Sequence, residues 1–94
     1  MTTSDRAYRD LYFEDPVVQA EFERLVQRVR DAELARKPVG VRHDQAELGV
    51  ETGRESEAEY EDADKAYIAA GNAIARAQHE VDAFLQIHRN YKSR

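Results

Sequence analysis

The side chains best suited to metal binding or to proton transfer near neutral pH are three histidines, at positions 43, 79 and 88. His43 lies in HDQAE, where Asp44 and Glu47 place two carboxylates within five residues of one imidazole. Read as part of a loop, that set resembles a metal site only weakly. His79 and Asp82 are three apart, so on a helix both could reach one ion. His88 falls on an apolar periodic position, where histidine is more often a packing residue than a ligand. A helical di-iron centre needs Glu from two helices and Glu-x-x-His from two others. Three residues before His43, His79 and His88 stand Gly40, Arg76 and Leu85, so that motif does not occur. No metal site and no cofactor is assigned on these grounds.

Nucleophilic chemistry has even less support. The chain has no cysteine, and none of Ser4, Ser56 and Ser93 neighbours a histidine on a turn. Glycines 40, 49, 53 and 71 match neither a phosphate-binding loop nor a dinucleotide fingerprint. Carboxylates crowd the stretch from Glu55 to Asp64, but a charge run of this kind reads as a solvated face. No catalytic residue is assigned, and the expectation is a protein that is not an enzyme. The basic end, HRNYKSR, offers Arg89, Lys92 and Arg94 to phosphate with Tyr91 to stack. A formal net charge of -5 opposes nucleic-acid binding in general, because phosphate contacts depend on clustered Lys and Arg.

Ninety-four residues suit one small domain with a modest core. With 41% hydrophobic and 35% charged residues, four glycines and two prolines, the composition fits long solvated helices better than a mixed sheet. No apolar run is long enough to span a bilayer, and MTTSDRAYRD lacks the basic and apolar regions of a secretory signal. The expected location is the cytoplasm. The preference for Arg over Lys, with abundant Ala, Val and Asp, suggests a bacterial or phage origin.

The elements that would position these residues are helical. Ser4 can cap a short amphipathic helix over 4–13, with Tyr8, Leu11 and Tyr12 on one face. Asp15-Pro16 opens a second helix, 16–37, in which Val18, Phe22, Leu25, Val29 and Ala32 recur at 4-3 spacing. Pro38 should stop it. Residues 38–52, with Gly40 and Gly49 inside, read as an irregular connection with at most a short turn at Asp44–Glu47. Thr52-Gly53-Arg54-Glu55 fits a capping box and starts a long helix over 53–92.

In that helix Tyr60, Ala63, Tyr67, Ala70, Ile74, Ala77, Val81, Phe84, His88 and Tyr91 keep 3-4 spacing without a slip. This is the repeat of a coiled-coil seam. Acidic residues crowd its start and basic residues its end, as the helix dipole favours. The small residues of YIAAGNAIARA leave a smooth face on which another helix can pack closely.

The fold class that follows is all-α: an antiparallel helical hairpin with a short N-terminal helix and one long C-terminal helix, completing a helical bundle by dimerisation. A 16–37 helix covers only about half of its partner, leaving apolar residues of the C-terminal half in need of cover. The expected interaction surface is therefore Tyr67, Ala70, Ile74, Ala77, Val81, Phe84, Leu85, Ile87 and Tyr91. The expected function is a protein–protein interaction module, such as an adaptor, assembly factor or regulator, that forms a homodimer and takes a protein partner. Metal binding in a helical bundle and nucleic-acid binding through the basic C-terminus are the alternatives.

Overall fold

The computed structural model describes residues 8–94. Two long helices, α1 (Pro16–Glu51) and α2 (Glu57–Ile87), pack against each other as a helical hairpin. Two short strands, β1 (Leu11–Tyr12) and β2 (Lys92–Ser93), pair antiparallel, Leu11 with Ser93 and Tyr12 with Lys92. No helix among the described residues is long and apolar enough to cross a membrane.

Helix α1 begins as its sequence dictates. The Asp15 carboxylate accepts hydrogen bonds from the Val17 and Val18 amides at 2.9 and 3.3 Å, and Pro16 occupies the first turn, where its missing N–H costs nothing.

It does not end at Lys37. The expected connection over 38–52 is wrong: α1 runs through Pro38, Gly40 and Gly49 to Glu51. A proline inside a helix removes one hydrogen bond and crowds the carbonyl four residues earlier, costing ~3 kcal/mol. Here Pro38 is exposed and so is Leu34, so the carbonyl it frees faces the solvent side of the helix. Both flanks are held by α2, which offsets the local cost. Arg36 Nη2 donates to the Tyr67 hydroxyl at 2.8 Å, His43 bonds Asp64, and Ala46 is fully buried.

The turn between the helices is also reassigned. Thr52–Glu55 does not open α2; it closes α1. The Gly53 amide donates to Val50 O and the Arg54 amide to Gly49 O, with Gly53 at φ +76°. This is the Schellman arrangement, in which glycine takes the left-handed position after a helix. The capping box that opens α2 lies four residues later. Ser56 Oγ accepts from the Glu59 amide at 3.2 Å, and Glu59 Oε1 accepts from the Ser56 amide at 3.5 Å. Glu57 and Glu59 sit in the first turn, so the acidic start suits the helix dipole.

At the other end α2 stops at Ile87, not at residue 92, and its last turn holds no basic residue. Arg89 still serves the helix end, because its Nε donates to Gln86 O at 3.2 Å. The predicted helix over 4–13 lies partly outside the described residues. Within them, Tyr8 and Arg9 are helical, Asp10 turns, and Leu11 and Tyr12 are extended. Pairing with residues 92 and 93, reinforced by the Arg94 amide donating to Asp10 O at 2.7 Å, outweighs the local helical spacing.

The chain divides into two compact units, Met1–Asp31 with Ala75–Arg94, and Ala32–Ile74. The core of the first gathers Tyr8, Phe13, Phe22, Leu25, Val26, Val29, Ala77 and Val81, with Leu11, Val18, Phe84 and Leu85 packed on its edge. Phe13 is its hub: its ring meets Phe22, Phe84 and Tyr91 edge-on at centroid separations of 5.4, 5.6 and 6.0 Å. In the second unit Ala46, Ala63 and Ile74 are buried.

Candidate functional site

The second unit holds the most organised polar cluster, and it is built around His43. The imidazole lies 4.8 Å from the Tyr67 ring, nearly parallel at 24°, and 5.4 Å from Tyr60. Its Nε2 is 2.9 Å from Asp64 Oδ1. Tyr60, Asp64 and Tyr67 come from successive turns of α2, so the 3-4 spacing of that helix sets the cage. On α1, Arg36 lies one heptad before His43 and adds its guanidinium carbon 4.9 Å above the Tyr67 ring. Arg42 pairs with Glu55 across the turn, which holds the Glu55 carboxyl below its usual range.

The expected interaction residues fall into three groups. Ile74, Ala77 and Val81 are buried, while Tyr67 and Ala70 are half-buried. Phe84 and Leu85 pack on the core of the first unit. Only Ile87, at 77% exposure, and Tyr91, at 39%, present much surface. Part of the apolar overhang that motivated this surface has its cover within the chain: Phe13 meets Phe84 and Tyr91, while Ile87 stays exposed.

Among the histidine and carboxylate candidates, His43, Asp44 and Glu47 come together, each offering one ligand atom within 4.8 Å of the others. Asp82 instead accepts the Tyr8 hydroxyl at 3.1 Å, and His79 is exposed. His88 packs against Phe84 with ring centroids 4.3 Å apart, as a packing residue would. The basic C-terminus is dispersed. Arg89 folds back on Gln86, Lys92 pairs with Glu14, and Arg94 lies 5.5 Å over the Tyr12 ring.

The largest feature that sequence reasoning missed is apolar. Leu34, Val41 and Leu48 are 58, 56 and 60% exposed on α1. Seven residues is almost two full helical turns, so the three side chains form one stripe about 21 Å long with a drift of ~20° per step. The spacing is plain in the sequence. It carries meaning only once 38–51 is known to be helical.

No protein-family model, curated protein or solved structure matches the chain. The functional reading rests on these surfaces alone.

Proposed function

We propose that the protein is a non-enzymatic helical interaction module that self-associates through the outer face of α1. The Leu34–Val41–Leu48 stripe carries this reading. Exposed apolar residues scattered singly are ordinary, but three aligned on one helix face are what a partner helix would cover. Ile74, Ala77 and Val81 are already buried inside one chain, so a seam-to-seam dimer would have to open the hairpin.

A second copy fits the stripe. With two α1 helices antiparallel about a two-fold axis at Val41, each Leu34 meets Leu48 of the partner subunit, and the valines meet each other. Lys37 then faces Gln45 of the partner subunit, and Pro38 faces Asp44 of the partner subunit, so the centre of the stripe carries no like-charge pair. At its ends Asp31 faces Glu51 of the partner subunit, which weakens the association. Completing the burial of six side chains is worth roughly 6–10 kcal/mol, against ~4–15 kcal/mol of lost rigid-body freedom. The dimer is therefore weak and concentration-dependent.

A binding role also agrees with how the carboxylates near the start of α2 are used. Glu55 pairs with Arg42, Glu59 caps the helix, and Asp64 holds His43. Sedimentation equilibrium over a range of concentrations tests the reading. The wild-type chain should shift reversibly toward dimer mass, and Val41→Glu should hold it at monomer mass without loss of helicity. Leu34→Lys alone should likewise hold it at monomer mass, and adding Leu48→Glu to Leu34→Lys should restore dimers, because the two-fold axis sets opposite charges face to face. A wild-type chain that stays monomeric to about 1 mM, a dissociation constant worth only ~4 kcal/mol, overturns it.

A further inference from the structure

We propose that His43, Asp44 and Glu47 form a binding site for a divalent transition-metal ion of the zinc type, with Asp64 as the carboxylate that orients the histidine. Two independent features converge on His43. The first is the ligand set: one atom from each of the three residues lies within 4.8 Å of the others, and Nδ1 of His43 is 3.8 Å from Asp44 Oδ1. His43 and Glu47 are four apart on one helix and so share a face.

The second is how the imidazole is held. Nε2 lies 2.9 Å from Asp64 Oδ1, and a carboxylate accepts, so in the neutral ring Nε2 carries the hydrogen and Nδ1 keeps its lone pair. Histidines that bind metals commonly donate their other N–H to a carboxylate, which fixes the tautomer and aims the free nitrogen. The free nitrogen here is the one beside Asp44. Tyr67 and Tyr60 pack on the ring and leave the side chain only 15% exposed, so the donor is held in place before any ion arrives.

The separation of Nδ1 from Asp44 is too long for a hydrogen bond, so no proton bridges the two. An ion bound at ~2.0–2.1 Å to each atom would need them only a few tenths of an ångström closer. Asp44 and Glu47 are exposed, so their side chains can close around the fixed imidazole. One nitrogen with two carboxylates suits zinc, cobalt or nickel better than magnesium or calcium, which favour all-oxygen sites. The two carboxylates neutralise the ion's charge, and three protein ligands leave a position for water.

Calorimetric titration of the metal-free chain with zinc chloride tests the site, and the visible spectrum of bound cobalt gives a second readout. Expected are one ion per chain and a Tm that rises with zinc. Asp44→Asn and Glu47→Gln, both at exposed positions, should each weaken binding at least tenfold. Asp64→Asn should weaken it by about 10–100-fold through the orienting contact. His79→Asn should bind as the wild type does. Absence of saturable binding up to about 100 μM zinc, a threshold of only ~5 kcal/mol, overturns the proposal. So does binding that survives Asp44→Asn and Glu47→Gln but is lost in His79→Asn.

Discussion

The Tyr8 hydroxyl donates to Asp82 Oδ1 at 3.1 Å, joining residues 74 positions apart. Burial, then the hydrogen bond and the negative charge of Asp82, push the tyrosine up to about 12 from its ordinary 10.0. A proton held more tightly in the folded chain stabilises it below pH 10.0, and that contribution is lost as pH rises toward about 12. Urea denaturation across this window should show wild-type stability falling more steeply than that of Tyr8→Phe, which has no proton to lose. Parallel decline of the two proteins would show that the contact does not discriminate between the protonation states.

Gly71 and Gly53 should respond in opposite directions to alanine. A Cβ on Gly71 would meet no heavy atom within 4 Å, so within α2 only the helix propensity changes. Gly71→Ala should stabilise by ~0.5–1 kcal/mol, raising Tm by several degrees. Gly53 sits at φ +76°, so Gly53→Ala should cost about 1–2 kcal/mol even though the space is open. Thermal melts of both variants decide, and a destabilised Gly71→Ala would mean that another segment packs on that face.

Two hydroxyls flank the turn, and only one caps α2. Ser56→Ala removes the acceptor for the Glu59 amide and should cost about 1 kcal/mol. The Thr52 hydroxyl instead donates back to Leu48 O and Gly49 O of α1, at 2.9 and 3.3 Å, so Thr52→Ala should stay within about 0.5 kcal/mol of wild type. Equal costs in equilibrium unfolding would return the cap to Thr52.

Features set by neighbouring residues were legible in the sequence. Asp15-Pro16 marks the start of α1 because a cap and a proline at the first turn act within three residues. The 3-4 repeat of α2 marks the buried positions Ala63, Ile74, Ala77 and Val81, because side chains at that spacing share one helix face. The end of α1 was ambiguous rather than hidden. Thr52-Gly53-Arg54-Glu55 and Ser56-Glu57-Ala58-Glu59 both match a capping box, and the left-handed backbone of Gly53 assigns the first to a helix end.

Distant partners decided the rest. Pro38 stays helical because the Arg36–Tyr67 and His43–Asp64 contacts on its two sides outweigh a cost of ~3 kcal/mol, and propensity registers only the cost. Leu11 and Tyr12 are extended because Ser93 and Lys92 offer them a ladder from the far end of the chain. The sequence by itself determined the two long amphipathic helices, since those follow from local periodicity, but the same periodicity also pointed to a helix over 4–13 where Leu11 and Tyr12 are extended. Only the tertiary structure determined which apolar residues remain on the surface and which carboxylate meets His43, because burial and orientation depend on what the opposite helix supplies.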